Sequence, residues 1–109
     1  MDLYIVKGKS FVGEYFESVQ LLEGMEEKPK CYIGLGKQIN KTKINKLEEG
    51  LSYGSYRIIL TDKEKIDEAR KRIKDCVYKY NLKELNRCQE AIKAIDNHDF
   101  KKAIKITNY

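Results

Sequence analysis

The spacing of apolar residues changes near residue 61, and this change limits the chain to a fold that joins strands to helices. Thr61 and Glu64 have the spacing of a capping box, with a threonine N-cap and a glutamate three residues later. Apolar residues then recur every three or four positions, which predicts one stripe on a helix of about five turns. The stripe contains Ile66, Ala69, Ile73, Cys76, Val77 and Tyr80. We expect a single α+β domain, with a strand half at 1–60 and a helical half at 61–109.

A second helix signal begins at Asn81, since asparagine is a favoured N-cap residue. The stripe that follows it contains Leu82, Leu85, Cys88, Ile92 and Ile95. Almost nothing separates the two stripes, so the segments form either a helical hairpin or one bent helix. The fold class we predict is a sheet followed by two C-terminal helices. A last short helix could form within 99–106 and bury Phe100, Ala103 and Ile104.

Residues 1–60 have the short apolar runs of antiparallel strands. A first strand is predicted at 3–7, and a long bent strand at 11–21 with Gly13 as a bulge. Further strands are expected at 30–33, 38–40 and 53–60, with turns at 23–27 and 34–37, while 41–47 fits either a strand or a helical turn. Four or five short strands suit a small curled antiparallel sheet or an SH3-like barrel.

The chain offers few groups for catalysis or metal binding. It has one histidine, His98, and three cysteines, Cys31, Cys76 and Cys88. A cysteine nucleophile needs a positioned base, and a zinc site needs closely spaced ligand pairs, whereas these residues lie 45, 12 and 10 positions apart. We therefore expect a protein that is not an enzyme, with no catalytic residue, metal or cofactor.

Cysteine usage and hydropathy indicate where the protein works. Three cysteines are an odd number and lack the density of a disulfide framework, which favours a reducing cytoplasm. The apolar run at the N-terminus is too short for a signal peptide, and no run elsewhere is long enough for a membrane span. We expect a cytoplasmic protein without a membrane partner.

Basic residues are concentrated in one segment that contains no acid. The net charge of the chain is +5, and residues 28–46 hold six lysines between the acidic pairs at 26–27 and 48–49. Such a segment favours phosphate or another acidic partner, the alternative being a solvated surface. Within it, Gly34-Leu35-Gly36-Lys37 lacks the first glycine and the Ser/Thr of a phosphate-binding loop, so a hairpin turn is the better interpretation.

Aromatic and basic residues are densest between Tyr53 and Arg57. A tyrosine ring can stack on a base, and arginine donates charge-assisted hydrogen bonds to phosphate. Strand alternation places Tyr53 and Ser55 on one face and Tyr56 on the other, so the two rings need not act together. For any one tyrosine, the alternative is that it covers the edge of the core. As a group they favour a nucleotide or nucleic-acid ligand.

Four segments precede or open the predicted helix pair: Lys30-Cys31-Tyr32-Ile33, Gln38-Ile39-Asn40-Lys41-Thr42-Lys43-Ile44, Tyr56-Arg57-Ile58-Ile59-Leu60-Thr61-Asp62 and Ile66-Asp67-Glu68-Ala69. These segments resemble small accessory proteins of phages of Firmicutes, in which a small antiparallel sheet, with a K-x-Y strand and a K-(S/T)-x-(I/L) turn, precedes two helices. Among proteins of this layout, residues 28–95 look most like the Thoeris anti-defence sponges, which sequester cyclic ADP-ribose-type immune signals without cleaving them.

The resemblance implies a non-enzymatic pocket at a subunit interface, lined by an aromatic residue, an amide side chain and arginines. The residues available for these roles are Tyr53 or Tyr56, Asn40 or Asn45, and Arg57, Arg70 or Arg87. We expect Arg57 and Lys43 to contact phosphates and Tyr56 or Tyr53 to stack on the base. The helices would join copies of the chain into a homo-oligomer in the cytoplasm of the bacterial host.

The function we expect is that of a phage counter-defence protein that binds and holds a small cyclic nucleotide or ADP-ribose derivative. The alternative is a protein or nucleic-acid interaction module, such as an inhibitor of the anti-CRISPR type. In that case the acidic groups at 23–27 and 48–49 would imitate phosphates in the nucleic-acid channel of a nuclease.

Overall fold

The computed structural model describes residues 1–11, 13–50 and 54–97, which form two antiparallel sheets and one long helix. The strands are β1 (Leu3–Phe11), β2 (Glu14–Leu22), β3 (Glu26–Glu27), β4 (Cys31–Gly34), β5 (Lys37–Asn40), β6 (Leu47–Glu49) and β7 (Ser55–Leu60). The helix, α1, is Ile66–Asp96. The α+β class is confirmed, whereas the prediction of two helices is wrong, because one helix runs through both apolar stripes.

The larger sheet has the strand order β2-β1-β7-β6, and the smaller sheet has the order β3-β4-β5. Successive residues of a strand face opposite sides of a sheet, so Ile5 and Val6 of β1 belong to two different apolar clusters. Ile5 packs toward the smaller sheet with Leu3, Leu22, Met25, Tyr32, Ile39 and Ile59. Val6 packs toward α1 with Ile58, Leu60, Ala69, Ile73 and Val77. The larger sheet is therefore covered on both faces near the start of β1.

The first hairpin replaces the long bent strand expected at 11–21. Phe11 pairs directly with Glu14, and Gly13 between them has φ of +76°, in the left-handed region that glycine adopts without steric cost. Gly13 is therefore part of a tight turn, and its interpretation as a bulge is wrong. Apolar residues occupy the odd positions Phe11, Tyr15, Val19 and Leu21 on both sides of the turn, so the pattern alone does not reveal the reversal between the strands.

The structures of the other turns are closer to those predicted from the sequence. Residues 34–37 form the hairpin between β4 and β5, as predicted. In the segment 41–47, one 3-10 turn at Lys41–Lys43 is followed by a bridge from Ile44 to β7. The segment 23–27 is more than a polar turn, because Met25 is only 2% exposed and belongs to the core.

The β4–β5 turn leads to a stability prediction. Leu35 and Gly36 have φ of 52° and 71°, and positive φ at both central residues is a feature of type I′ turns, which favour Asn-Gly. Leu35 is 65% exposed, so its side chain contributes little packing. We expect Leu35→Asn to raise the free energy of unfolding by about 0.5–1 kcal/mol, since asparagine tolerates this backbone better than leucine. Chemical denaturation would measure the gain. The matched control is Leu35→Val, which should lower the free energy of unfolding. Equal stability of the two variants would contradict the prediction.

A side-chain cap forms one residue later than expected, on the 3-10 turn before α1, whereas Lys65, the N-cap residue of α1 itself, makes no side-chain capping bond. The Asp62 side chain accepts a hydrogen bond from the Glu64 backbone N–H at 2.9 Å, and one 3-10 turn, Lys63–Lys65, leads into α1. Asp62 therefore takes the capping role predicted for Thr61. Asn81 is not an N-cap, because its side-chain amide donates to the Val77 carbonyl at 2.8 Å and to Ser10 Oγ at 3.0 Å from within the helix. The short helix predicted at 99–106 lies outside the described residues.

Only the first part of α1 is packed against the sheet. Ala69, Ile73 and Val77 are its buried residues. This confirms the first predicted stripe as a core-facing one. The second stripe has no partner in the described part of the chain, and Leu85 and Ile95 are 53% and 64% exposed. No helix of the described segments has the combination of length and apolarity that crossing a membrane requires.

Candidate ligand-binding site

Three basic side chains share one face of the larger sheet, beyond the end that the smaller sheet covers. The register places Lys7 of β1 directly opposite Arg57 of β7, and Lys9 opposite Ser55. On the other side of β1, Lys7 is opposite Ser18 and Lys9 is opposite Phe16 of β2. Paired residues face the same side of a sheet. An open groove of about 490 Å³, here called the strand groove, is lined by these three basic residues and their partners Ser18, Phe16 and Ser55, together with Gly8, Glu17, Gly50 and Tyr56.

The strand groove has more positive charge than its neighbours neutralise. Like charges directly opposite each other on adjacent strands are destabilising, and Lys7 and Arg57 have this arrangement. Arg57 is compensated by Glu48 of β6, whose Oε2 accepts hydrogen bonds from Nε at 3.2 Å and Nη2 at 3.1 Å. Within residues 1–11, 13–50 and 54–97, no ion pair involves Lys7 or Lys9. The two lysines are therefore available to an anion.

The remaining lining residues suit a ligand with phosphate and a flat apolar part. Ser18 and Ser55 carry hydroxyl groups that can donate to phosphate oxygens. Phe16 is 44% exposed and presents an aromatic ring beside Lys9. Aromatic rings beside cations bind nucleotides by base stacking and phosphate contacts. The groove therefore has the means to bind a phosphorylated aromatic compound.

One acid at the edge of the groove is tied to the helix. Glu17 accepts a hydrogen bond from Arg70 Nη2 of α1, and this bond lowers the pKa of the Glu17 carboxyl. Arg70 also donates from Nη1 to Asp67 at 3.2 Å. With its charge directed toward Arg70, Glu17 opposes an anion in the groove less than an unpaired carboxylate would.

A second groove lies on the opposite face of the sheet, between α1 and the β6–β7 pair. This helix groove has a volume of about 640 Å³ and is lined by Glu49, Tyr56, Cys76, Lys79, Tyr80, Lys83, Glu84 and Arg87. Two of its cations have acidic partners, since Lys79 pairs with Asp75 at 3.0 Å and Arg87 with Glu84 at 3.1 Å. Burial and the charge of Glu49 raise the pKa of Tyr56, which keeps its hydroxyl protonated at neutral pH.

The site residues expected from the sequence do not form one site. Arg57 lines the strand groove and Arg87 the helix groove, while Tyr56 contributes to the walls of both. The other described candidates lie outside the two grooves, with Arg70 bonded to Glu17 and Asp67, Lys43 exposed in a 3-10 turn, and Asn40 and Asn45 exposed on either side of that turn. Tyr53 lies outside the described residues. Lys7, Lys9 and Phe16 were missed, although the alternation in β1 places both lysines on one face.

The lysine-rich segment at 28–46 is partly neutralised by the acids that flank it. Lys28 pairs with Glu26 at 2.8 Å, and Lys41 pairs with Glu27 at 2.8 Å. The hydrogen bond to Glu27 raises the pKa of Lys41, whose ammonium group also lies 5.3 Å from the centre of the Tyr32 ring. Glu26 and Glu27, two of the acids that could imitate phosphates, are thus engaged by cations of the same chain.

Nothing in the described residues assembles a metal site. No group of three or more His, Cys, Asp or Glu side chains in 1–11, 13–50 and 54–97 could hold an ion. Cys31 is buried, Cys76 half-buried and Cys88 exposed, and all three are free thiols. His98 lies outside the described residues.

Comparison with protein-family models, with curated proteins and with solved structures found no match for this chain.

Proposed function

We propose that the protein is a non-enzymatic binding protein that holds a small nucleotide by its phosphates in the strand groove. The observation that carries the proposal is the placement of Lys7, Lys9 and Arg57 on one open face of the sheet, where Glu48 is the one acid of the described segments that pairs with any of them. Opposed cations cost stability unless an anion joins them. A phosphate bound between Lys7 and Arg57 would relieve that repulsion.

Size and lining favour a nucleotide over a simple anion. Sites for small molecules commonly measure about 300–1,000 Å³, and the strand groove, at about 490 Å³, lies within that range. Phe16 gives the ligand a ring to stack on, while Lys7, Lys9 and Arg57 supply charge for more than one phosphate. The ligand that we propose is a cyclic nucleotide or an ADP-ribose derivative.

Binding and holding such a ligand would be enough to give the protein a function, without any chemical reaction. A protein that binds a signalling nucleotide without cleaving it lowers the free concentration of the signal by mass action. This would be the role of a counter-defence sponge, working in the cytoplasm as a homo-oligomer joined through α1.

Thermal unfolding with a panel of ligands tests the proposal. The panel contains cyclic mononucleotides, cyclic dinucleotides, ADP-ribose, cyclic ADP-ribose and pyrophosphate. A member that binds is expected to stabilise the protein by about 2.7 kcal/mol at a hundredfold excess over its Kd. The double substitution Lys7→Ala/Lys9→Ala should remove most of this gain, because both uncompensated cations of the groove are lost.

The matched control is Lys37→Ala/Lys46→Ala, which removes the same charge at exposed positions outside the groove. It should leave the ligand-induced gain unchanged. If both double variants weaken binding equally, the effect is one of net charge and the strand groove is not the site. If no nucleotide shifts the unfolding curve, while a single-stranded oligonucleotide binds with an affinity that falls steeply with salt, the protein is a nucleic-acid binder instead.

A further inference from the structure

In the second half of α1, Asn81 bonds to Ser10 of β1, but the large apolar side chains are exposed in the described part of the chain. Val77 is the last buried residue of the helix, which continues to Asp96. Residues 78–96 therefore form 19 helical positions, none of them buried against the sheets. In proteins most of the stability of a helix comes from the packing of its apolar face against another element. An uncovered apolar face on a helical segment of this length points to a partner that covers it.

The exposed large apolar residues of this half lie along one side of the helix. Tyr78, Leu82, Leu85, Ile92 and Ile95 follow one another at spacings of four, three, seven and three, and they are 65%, 44%, 53%, 58% and 64% exposed. These five residues are here called the α1 stripe. At 1.5 Å per residue the stripe is about 26 Å long. Five large apolar side chains in such a row exceed the scattered apolar residues of an ordinary surface.

The charges of this half are kept off the α1 stripe. Lys79, Lys83 and Arg87 line the helix groove, on another side of the helix. Between 78 and 96 there are four basic and three acidic residues, so this half is nearly neutral in a chain of net charge +5. The stripe itself contains no charged residue, and two copies could therefore meet along it without strong repulsion.

Four of the five stripe residues, together with Cys88, have the repeat of a two-helix seam, and Leu82 lies outside that repeat. Tyr78, Leu85 and Ile92 are seven residues apart, and Cys88 and Ile95 repeat at the same interval. A seven-residue repeat with two apolar positions is the pattern that packs one helix against another of the same kind. Glu84 and Asp96 border this seam, and these acids disfavour an anionic lipid surface or a nucleic acid as the partner.

We propose that a second copy of this chain packs along the α1 stripe to form a two-fold symmetric helix pair. The same patch then serves on both subunits, as in an isologous dimer. Cys88, which is exposed, lies on the seam midway between Leu85 and Ile92. Two-fold pairing centred there brings the two Cys88 thiols near each other. This proposal does not depend on the identity of the ligand in the strand groove.

Sedimentation equilibrium of the full chain tests the proposal, together with far-UV circular dichroism over a dilution series. We expect the mass of a dimer and a loss of helical signal as the dimer dissociates. Leu85→Lys/Ile92→Lys should give a monomer with reduced helicity and an intact sheet. The control, Asn86→Lys/Ala94→Lys, adds the same charge beside the seam and should remain dimeric.

Mild oxidation provides a second readout that does not rely on the stripe variants. A disulfide-linked dimer is expected, and Cys88→Ser should abolish it while Cys76→Ser should not. A monomer that keeps its full helicity at every concentration would overturn the proposal, because α1 would then need no second copy to stay helical. Lys7→Ala/Lys9→Ala should dimerise normally, which separates this result from a failure of the nucleotide proposal.

Discussion

Replacing Gly8 with valine is expected to lower the free energy of unfolding by about 3 kcal/mol, as in severe overpacking of a core. A Cβ atom at Gly8 would lie 2.5 Å from Ile73 Cγ2 and 2.6 Å from the Tyr15 hydroxyl oxygen. Gly8 is paired with Glu17 on one side and with Tyr56 on the other. Because β1 is held on both edges, its backbone cannot move away from α1, and the helix must shift instead.

A double-mutant cycle shows whether the contact with α1 is the cause. Ile73→Ala removes the Cγ2 atom that a Cβ at residue 8 would meet, at the cost of a cavity. In the Ile73→Ala background, Gly8→Val should be less destabilising than in the native chain, because the close approach to the Tyr15 hydroxyl is then the main one left. Urea denaturation of the four proteins in the cycle measures the coupling. Additive effects would mean that Gly8 is required for some reason other than the close approach of α1.

Ile58→Ala is expected to lower the free energy of unfolding by about 2–5 kcal/mol, the usual range for a buried isoleucine. Ile58 of β7 is 0% exposed and packs in the cluster between the larger sheet and α1. It is also paired with Val6 of β1 and Leu47 of β6. The substitution therefore leaves a cavity at a point where three strands and the helix meet and where little can collapse to fill it.

The matched control is Ile33→Ala in β4, which makes the same change on a strand where the side chain is 40% exposed. It should cost less than about 1 kcal/mol, since the exposed part of the side chain gains little from burial. Denaturation with guanidinium would compare the two variants. Equal losses would show that the cluster under α1 does not carry the stability assigned to it.

Local patterns predicted the helix and most strands because they depend on neighbouring residues. The three- and four-residue spacing from Ile66 to Val77 identified the buried face of α1, and glycine identified the β4–β5 turn. The prediction for Gly13 is wrong because a β-bulge and a tight turn both favour glycine, which adopts positive φ without steric cost. Asn81 was misread because an asparagine that caps a helix and one that bonds back to the carbonyl four residues earlier have the same local sequence.

The candidate site was harder to predict because it depends on strand pairing. The local cluster around Tyr53–Arg57 indicates Arg57, but Lys7 comes from another strand, and the β1–β7 register brings it opposite Arg57. Tyr56, a tyrosine expected beside Arg57, lines both grooves, and Phe16 of β2 adds a ring beside Lys9 in the strand groove. The charge of the lysine segment at 28–46 predicted an acidic partner, whereas Lys28 and Lys41 form ion pairs with Glu26 and Glu27 of the same chain.

The pairing of β1 with β7 also has a consequence for folding kinetics. The hairpins β1–β2, β4–β5 and β6–β7 close over short loops, whereas the β1–β7 ladder joins residues about fifty positions apart, a separation that makes closure slow. Lys7 and Arg57 become neighbours only when that ladder has formed. A ligand that bridges them would act after the slow closure step, so it should lengthen the lifetime of the folded protein while leaving its folding rate unchanged.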